Sequence, residues 1–484
     1  MEIPKEIKSI IDKLKKNNFE AYVVGGCVRD FLIGVEPEDW DITTNAKPEE
    51  IQKIFPKSFY RNKFLTVTVQ TNSKNPKLKE VEITTYRLET KYTDKRHPSK
   101  ISFAKTIEED LARRDFTINA MAMDINLKII DPFKGREDLE NKIIRTVGNP
   151  EKRFSEDALR MIRAVRFAIK LGENWNIEEK TNKAIEKNSI WLKVISKERI
   201  RDEFIKIIMA KKAADGIELL RKLNLLKHII PEIEEGYKVS QNKHHIYDCY
   251  EHSVRSLDYA AKQNFNKDVR IAALLHDVGK PRSKRGEGSD ATFYGHEIIG
   301  ARLAKRALNR LKFPKKNIEK IVKLVRYHLF YYNPDEVGES SVRRLVRQVG
   351  PESMEELLQV RMADRIGSGV PKAEPYKLRH LKYIIEKVSQ DPISSKMLKI
   401  DGGDVMSILK IKEGPKVGKV LDILLSYVLD DPKRNNRKVL EKEIQILGKE
   451  TEKKLDSLAE VSKKEIKEIR MKKDQMTKKK YWVT

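Results

Sequence analysis

Residues 21–30 read AYVVGGCVRD, and residues 39–42 read DWDI. A short β-like run thus enters a double glycine and a helical turn, and a second β-like run with two acids follows. Because side chains alternate along a strand, we expect Asp39 and Asp41 on one face and Trp40 in the layer behind it. Two carboxylates at close range repel each other, and a divalent cation such as Mg²⁺ removes that repulsion. The pair therefore predicts a Mg²⁺ site.

The double glycine has the features of a phosphate site. Gly25 and Gly26 let the backbone come close to a ligand. The helix predicted over 28–32 has an N-terminus that attracts anions, and Arg29 adds a fixed positive charge. Either motif alone is more often a plain turn or a pair of solvated acids. Their order along the chain favours a site for a metal-bound nucleoside triphosphate.

The composition indicates a partner with many negative charges. The 484 residues include 99 Lys and Arg against 73 Asp and Glu, which gives a net charge of +26, and nucleic acid is the first candidate partner. The two cysteines, Cys27 and Cys249, fit neither a disulfide framework nor a thiolate zinc site, so we expect a reducing compartment. Residues 1–18 do not resemble a signal peptide, and no apolar run reaches the roughly 20 residues of a membrane span. These observations predict a cytoplasmic protein without membrane contact.

The pattern along the chain predicts an α+β head followed by all-α domains. Short β-rich runs occur early in the chain, at 65–70, 81–85, 101–104 and 129–131. The periodicity is helical from 149 onward. We predict five parts, namely a head at 1–148, a helical neck and body at 149–235, a histidine-rich domain at 236–388, a helical tail at 389–450 and a basic C-terminal arm at 451–484. The arm fits either an exposed helix or a disordered segment.

A predicted helix over 156–167 carries arginines at every third residue. Arg160, Arg163 and Arg166 would lie along one side of it, with Asp157 beside Arg160. An Asp acceptor beside an Arg donor matches the Watson–Crick edges of cytosine and adenine and rejects uracil and guanine. We interpret Asp157 and Arg160 as base-reading residues and the other two arginines as phosphate contacts. The alternative is a surface ion pair worth a few tenths of a kcal/mol.

Residues 110–122 read DLARRDFTINAMA and lie between these two groups of motifs. Arg114 suits the triphosphate, and Asp115 suits a ribose hydroxyl. Phe116 and Ile118 suit packing. Arginine pairs are common in a basic chain, so this interpretation depends on the acids and glycines upstream.

The histidines are concentrated in one part of the chain, where six of the nine lie between 244 and 328. An apolar helical run ends in an adjacent His-Asp pair, and further ligand-type residues lie before and after it. Imidazole and carboxylate groups are typical ligands of hydrolytic metal sites. The predicted ligands are His252, His276, Asp277, His296, His328 and Asp364.

Between about 20 and 205, the motifs resemble those of the class II tRNA nucleotidyltransferase and bacterial poly(A) polymerase family. They are Gly25-Gly26-x-Val28-Arg29-Asp30, Asp39-x-Asp41, Arg113-Arg114-Asp115-Phe116-Thr117-x-Asn119-Ala120, Glu156-Asp157-x-x-Arg160 and Glu198-Arg199-Ile200-Arg201-x-Glu203. The resemblance implies a polymerase-β-like head followed by a helical neck, body and tail. It also implies template-independent addition of CCA to tRNA from CTP and ATP.

The resemblance also implies roles for individual residues. Asp39 and Asp41 would hold the catalytic Mg²⁺, while Glu82 is either a third carboxylate or a surface acid. The residues implied to contact the nucleotide are Gly26, Arg29, Arg114, Asp157, Arg160, Arg163 and Arg166. The segment 89–98 resembles the family's flexible loop, which is linked to addition of the final A. A poly(A) polymerase, an enzyme that adds only A, and a monomer or a homodimer all remain open.

The histidine-rich segment resembles the HD phosphohydrolase superfamily. This resemblance implies phosphodiesterase or phosphatase activity with Ni²⁺, Mn²⁺ or Fe²⁺, for example on RNA ends with 2′,3′-cyclic or 2′-phosphates. We interpret Lys280 and Arg282 as candidate phosphate contacts and His245 as a structural residue. A vestigial domain that keeps its ligands for folding is one alternative. An HD hydrolase whose head only senses nucleotides is another. Residues 402–406 and 414–418 resemble a tRNA-gripping tail, and helix caps explain the same glycines.

Overall fold

The computed structural model describes residues 2–61, 65–92, 98–242, 246–334, 336–389 and 395–483. The chain forms two compact units, of which the first comprises Met1–Leu329 with Glu356–Pro371 and the second Phe330–Glu355 with Lys372–Thr484. In the described part of the chain, every strand longer than two residues lies before residue 104, and every element after Ile177 is helical. The predicted α+β head followed by all-α domains is therefore confirmed.

The described part of the head contains fifteen α-helices and β-strands. In chain order they are α1 (Lys5–Lys16), β1 (Ala21–Val24), α2 (Gly26–Leu32), β2 (Asp41–Thr44), α3 (Pro48–Ile54), β3 (Ser58–Arg61), β4 (Thr66–Gln70), β5 (Glu80–Thr85), β6 (Arg87–Tyr92), β7 (Pro98–Phe103), α4 (Ile107–Ala112), β8 (Ala122–Met123), β9 (Ile129–Ile130), α5 (Gly135–Glu140) and β10 (Ile143–Ile144).

Seven strands form one mixed sheet in the order β3-β4-β5-β2-β1-β8-β9. Strands β2 and β5 run parallel, with Asp41 opposite Glu82, and the other neighbours run antiparallel. Strands β6 and β7 form a separate hairpin. The centre of the predicted flexible loop, residues 93–97, lies outside the described residues.

Apolar side chains cover both faces of this sheet. Val23 belongs to one core cluster, together with Ile42 and Trp40, and its neighbour Val24 belongs to a second cluster with Leu111. This division follows from the alternation of side chains in β1. Helix α1 covers the first face with a stripe at helical spacing, formed by Ile7, Ile10, Ile11 and Leu14. Trp40 is buried, as predicted.

Among the described residues after Ile144, one short strand accompanies the helices of this part of the chain. Its elements are α6 (Pro150–Glu156), α7 (Leu159–Lys170), β11 (Asn176–Ile177), α8 (Glu179–Asn188), α9 (Lys197–Ile208), α10 (Ala213–Lys222), α11 (Leu226–Ile229), α12 (Pro231–Glu234), α13 (Cys249–Lys262), α14 (Lys267–Leu275), α15 (Lys280–Ser283), α16 (His296–Arg310), α17 (Lys315–Tyr327), α18 (Glu339–Val349), α19 (Met354–Gly367), α20 (Tyr376–Ser389), α21 (Gly402–Leu409), α22 (Pro415–Asp430), α23 (Arg437–Gly448) and α24 (Glu452–Lys480).

Side-chain caps define where the helices around the histidines begin. The Asp248 carboxylate accepts the backbone N–H of Glu251 at the start of α13, and the Asn266 side chain accepts two backbone N–H groups at the start of α14. Such caps satisfy donors that have no partner inside the helix. Helix α14 is buried along its length and ends at Leu275, which places His276 at its C-terminus as predicted.

The second unit has its own apolar core, formed by helices α21 to α24. Helix α24 packs one side against α22 through Leu455, Ala459 and Ile466, while its remaining face is rich in lysine. The basic segment is therefore helical from Glu452 to Lys480, with one packed side. None of the helices in the described ranges combines the length and the apolarity needed to cross a bilayer.

Candidate functional site

Three carboxylates lie together where β2 begins. Asp41 is the first residue of β2, Glu82 is its partner on β5, and Asp39 lies in the bend before the strand rather than in it. Burial, followed by the charges of Glu82 and Asp39, raises the pKa of Asp41 to about 6, although Arg114 opposes the shift. A divalent cation would relieve the repulsion between these acids, although their oxygen atoms are not as close to one another as the ligand atoms of the histidine cluster described below.

Gly25 brings the backbone against Arg114. Its φ of +85° favours glycine, and a Cβ atom at this position would lie 2.7 Å from the Arg114 Nη1. Arg114 Nη2 lies 3.5 Å from a carboxylate oxygen of the fully buried Asp110. A side chain at position 25 would therefore displace a predicted phosphate contact.

Arg29 is fixed from two sides. Its Nη2 donates to Asp30 at 2.7 Å, and its Nη1 donates to the side-chain oxygen of Asn119 at 2.6 Å. A Cβ atom on Gly26 would lie 3.6 Å from the same guanidinium. The predicted residues Gly26 and Arg29 are thus adjacent, and Asn119 supports them in a way that the sequence did not indicate.

Asp115 is a buried, ionised hub of the site. It accepts from Arg163 Nε at 2.7 Å and from Asn119 Nδ2 at 3.2 Å. Burial alone would raise the pKa of Asp115, but Arg163 and Arg160 hold it at about 2. The structure therefore gives the predicted ribose-binding Asp115 a second role as the anchor of Arg163.

The single helix predicted over 156–167 is wrong at its start. Helix α6 ends at Glu156, Asp157 is extended, and α7 begins at Leu159. The reason is local, because the Asp157 carboxylate accepts the Leu159 backbone N–H at 3.1 Å, as capping residues do. Asp157 therefore stands at a break between two helices and does not lie along the arginine side of one.

Asp157 and Arg160 also do not pair with each other as predicted, because each has other partners. Arg199 Nη1 and Nη2 donate to the two Asp157 carboxylate oxygens at 3.1 and 2.7 Å. Arg160 donates to Glu156 at 2.8 Å and to two backbone carbonyls, those of Arg153 and Arg113. Arg199 lies in the 198–203 motif, and that motif is the sequence signal for its contact with Asp157.

Three of the predicted arginines surround one aromatic ring. The guanidinium carbons of Arg29, Arg163 and Arg166 lie 5.2, 5.3 and 4.3 Å from the centre of the Phe167 ring. Arg166 also pairs with Glu203 of α9 at 2.7 Å. The structure thus brings arginines of α2 and α7 around one ring, and Glu203 of α9 pairs with one of them.

The six predicted HD ligands converge from five helices or their ends. Asp277 is central, with its Oδ2 3.1 and 3.2 Å from the Nε2 atoms of His252 and His276. Its Oδ1 lies 3.3 and 3.5 Å from the Nε2 atoms of His296 and His328. Asp364 Oδ1 joins the first set, 3.3 Å from His252 Nε2. The ligand atoms therefore form two groups that share Asp277.

The hydrogen bonds of the histidines fit metal binding. The Nδ1 atoms of His276, His296 and His328 lie within 2.8 Å of the backbone carbonyls of Ala273, Phe293 and Val325. A ring that donates from Nδ1 presents a lone pair on Nε2, which is the form that ligates metals. Burial alone would lower the pKa of His276, but Asp277 and Asp364 raise it to about 10, so the cluster attracts positive charge.

A cavity of about 430 Å³ opens beside the cluster. Lys280 lies in its wall and contacts Asp277 at 2.7 Å and Gln241 at 2.6 Å. Arg282 instead forms two hydrogen bonds with Glu235 and is absent from the cavity lining, so it is not placed as the predicted phosphate contact. His245 lies outside the described residues.

Comparison with protein families divides the chain into three matched regions. The Poly A polymerase head domain matches residues 21–145, and the probable RNA and SrmB- binding site of polymerase A matches residues 174–236. The HD domain matches residues 249–368 and so includes all six predicted ligands.

Similar proteins of known family extend these matches. A CCA-adding enzyme of Lactobacillus helveticus is 51% identical over 199 residues, which are 41% of this chain and 48% of that protein. The chain spans about half the length of the first relatives that it matches. A CCA-adding enzyme of Streptococcus thermophilus is 30% identical over 436 residues, which cover 88% of this chain and 93% of that protein.

A solved structure gives a similar result. The CCA-adding enzyme of Bacillus stearothermophilus in complex with CTP is 28% identical, with a TM-score of 0.61 over 92% of this chain and 98% of that one. The chain therefore agrees with two CCA-adding enzymes over most of its length and theirs. It belongs to the family of CCA-adding enzymes.

Proposed function

We propose that this protein adds C, C and A to the 3′ end of tRNA, using CTP and ATP without a nucleic-acid template. The observation that carries the proposal is the group of three carboxylates at Asp39, Asp41 and Glu82 beside the guanidinium of Arg114. In the related Bacillus stearothermophilus structure the bound nucleotide is CTP. The net charge of +26 supports an RNA substrate held mainly through its phosphates.

The residues of this chain have distinct tasks in that reaction. Asp39 and Asp41 would hold Mg²⁺, which supplies charge neutralisation and lowers the pKa of a bound hydroxyl. Arg29 and Arg114 hold the triphosphate, Asp115 receives a ribose hydroxyl, and Asp157 with Arg160 reads the base. The 3′-hydroxyl of the tRNA forms the new bond to the α-phosphorus, and pyrophosphate leaves as that bond forms.

Base reading in this proposal adds hydrogen bonds to two groups that already have partners. The Asp157 carboxylate, which would accept from the base, already accepts from Arg199. The Arg160 guanidinium, which would donate to the base, already donates to Glu156. Both carboxylates and guanidinium groups can take further hydrogen bonds. The Asp157 acceptor and the Arg160 donor can therefore reach the base while their supporting partners stay in place.

A direct assay tests the reaction. Purified protein is incubated with Mg²⁺, labelled CTP or ATP, and tRNA that lacks its 3′ end. Addition of three residues that stops after A supports the proposal, and Asp39→Ala should abolish it. A long A tract would indicate a poly(A) polymerase. A single A on tRNA that already ends in CC, with no addition to tRNA that lacks CC, would indicate an enzyme that adds only A. A lack of incorporation would contradict the proposal.

We also propose that the histidine cluster binds two divalent cations and hydrolyses phosphodiesters or phosphomonoesters. The specific support is the division of the ligand atoms into two groups on the two oxygens of Asp277. Ni²⁺, Mn²⁺ and Fe²⁺ all suit imidazole and carboxylate ligands. Such ions supply Lewis acidity toward a phosphate ester.

Metal analysis together with a hydrolysis assay distinguishes an active hydrolase from a vestigial domain. Purified protein should retain close to two equivalents of metal by mass spectrometry, and Asp277→Asn should lose both because the two groups share that residue. Bound metal without hydrolysis of bis(p-nitrophenyl) phosphate or p-nitrophenyl phosphate would favour a ligand set kept for folding. Hydrolysis without CTP or ATP incorporation would favour the hydrolase with a nucleotide-sensing head. A cytoplasmic monomer or homodimer remains our prediction for the whole protein.

A further inference from the structure

One aromatic ring lies beside three of the arginines of the head site. Phe167 is in the last turn of α7 and is 5% exposed. The guanidinium carbons of Arg29, Arg163 and Arg166 lie 5.2, 5.3 and 4.3 Å from the centre of its ring. All three distances are within the roughly 6 Å at which an aromatic ring attracts a cation. One neutral side chain thus links cations from two helices, α2 and α7.

The position of this ring is itself fixed. Phe116 is fully buried and meets Phe167 edge to face, with 5.7 Å between the ring centres and an angle of 80° between the ring planes. Such T-shaped pairs are a favourable arrangement of aromatic rings. The Phe116 backbone N–H donates to the Asp115 carboxylate at 2.9 Å, and the same carboxylate accepts from Arg163. The two rings, the carboxylate and the arginine therefore form one connected unit.

The guanidinium groups around the ring also act on one another. Burial lowers the pKa of Arg166, and the Glu203 carboxylate opposes that shift. The charges of Arg163 and Arg29 lower the same pKa further. A further acid beside these groups would cancel positive charge that attracts a triphosphate, whereas an aromatic face attracts a cation without neutralising its charge. The ring therefore holds the arginines close together and preserves their attraction for phosphate.

We propose that Phe167 is a positioning residue that sets the affinity of the head site for the triphosphate of both CTP and ATP. The guanidinium groups beside its ring are the proposed phosphate contacts. The proposed base-reading residues Asp157 and Arg160 are held by Arg199 and Glu156 instead. Phe167 therefore acts on the phosphates, which the two nucleotides share, and not on the choice of base. The inference rests on the nucleotide addition proposed above.

Steady-state kinetics of the full-length protein test this role. Phe167→Leu keeps an apolar side chain but removes the aromatic face. We expect KM to rise about tenfold for CTP on tRNA that lacks its 3′ end and for ATP on tRNA that ends in CC. The value of kcat should stay within about twofold, because the carboxylates that hold Mg²⁺ are unchanged. Partial unfolding would instead reduce the amount of active enzyme and hence kcat, and it would leave KM unchanged.

Two further measurements separate the phosphates from the base and the charge from the shape. Pyrophosphate has no base, and it should inhibit Phe167→Leu at about tenfold higher concentration than the wild type. The ratio of kcat/KM values for CTP and UTP should not change. Trifluorophenylalanine at position 167 keeps the shape of the ring and weakens its negative face, so it should raise both KM values by a smaller factor than leucine does.

The control and the contradicting outcomes are specific to the ring. Phe313→Leu is the matched control, because Phe313 is also 5% exposed and lies in the turn between α16 and α17, and its KM values should equal those of the wild type. Wild-type KM values in Phe167→Leu, unchanged inhibition by pyrophosphate, or wild-type KM values with trifluorophenylalanine would overturn the inference alone. A wild-type protein that incorporates neither CTP nor ATP would overturn the proposed nucleotide addition itself.

Discussion

Each arginine predicted to contact the nucleotide has a carboxylate partner in the structure. The pairs are Arg29–Asp30, Arg114–Asp110, Arg160–Glu156, Arg163–Asp115 and Arg166–Glu203. A guanidinium that is already held in place loses less side-chain entropy when a phosphate binds. The acids also prevent a cluster of five positive charges from repelling itself. At the scale of single residues, the site is thus prepared for a polyanion before one arrives.

Replacing Asp157 should weaken base choice. Asp157→Ala removes the acceptor that we propose for the amino group of cytosine or adenine. We therefore expect the preference for CTP over UTP, measured as the ratio of kcat/KM values, to fall about tenfold. Arg199→Ala should shift the ratio in the same direction by less, because Asp157 stays but loses two hydrogen bonds. Asp202→Ala on the same helix is the control. An unchanged ratio in Asp157→Ala would refute the base-reading role.

The ionised state of Asp115 predicts a pH-dependent contribution to stability. Its pKa of about 2 lies below its usual value of 3.8, because Arg163 and Arg160 outweigh the cost of burial. The charge therefore stabilises the folded state by about 2 kcal/mol above pH 4, and this contribution is lost as the pH falls from 4 toward 2. Asp115→Asn should lower the melting temperature by a constant amount between pH 5 and 8 and by less below pH 4.

Two comparisons make the Asp115 experiment decisive. The same substitution at the exposed Asp202 should leave the melting temperature within error at every pH. A deficit in Asp115→Asn that stays equal at pH 3 and pH 7 would mean that lost hydrogen bonds, not charge, cause the destabilisation.

Among the elements, strands were easier to predict than helix breaks. The runs at 65–70 and 81–85 correspond to β4 and β5 within one residue. Short runs of β-branched residues mark both strands, and β5 also alternates buried with more exposed side chains. The break between α6 and α7 left no such mark, since the helical periodicity continues through Asp157, whose side chain accepts the Leu159 backbone N–H. The contact between Asp157 and Arg199 could not be predicted because 42 positions separate the two residues along the chain.

One buried arginine joins several helix ends and provides a test at this scale. Arg270 of α14 is 2% exposed and donates to the backbone carbonyls of Phe265, Ile208, Ala210 and Ala261 and to the side chain of Asn264. These acceptors lie at the ends of α9 and α13. The element-level role of Arg270 is therefore to close two helix C-termini with one planar group.

Lysine cannot reproduce that set of contacts, because its ammonium group has three donors on a flexible stem. Arg270→Lys should therefore leave buried carbonyls without donors and reduce the stability by about 3 kcal/mol, seen as a lower melting temperature. Nucleotide addition at 25 °C should persist. The exposed Arg306→Lys is the matched control and should melt like the wild type. Equal melting temperatures for both variants would show that Arg270 is not a structural centre.

At the scale of the whole molecule, the six ligand residues of the HD cluster could be predicted, but the division of their ligand atoms into two groups could not. Histidine and aspartate on apolar helices are conspicuous in sequence, and all six came together. The sharing of Asp277 between two groups depends on which oxygen faces which helix, and side-chain rotamers leave no trace in periodicity. The same holds for the head, where Asp39 and Asp41 were visible and the position of Glu82 opposite Asp41 required the register of β2 and β5.

The two candidate centres share no residue in the described part of the chain, and this predicts that their activities can be removed separately. The head site is built on β2, α2 and α7, and the HD cluster on the ends of α13, α14, α16, α17 and α19. Asp39→Ala removes a carboxylate from an exposed bend, so it should abolish CCA addition and leave hydrolysis of bis(p-nitrophenyl) phosphate within about twofold of wild type. Asp277→Asn should have the opposite effect, provided that its melting temperature shows an intact head. Loss of hydrolysis in Asp39→Ala would contradict two separate centres, because a charge removed from the head could then act on phosphate esters only through a single shared site.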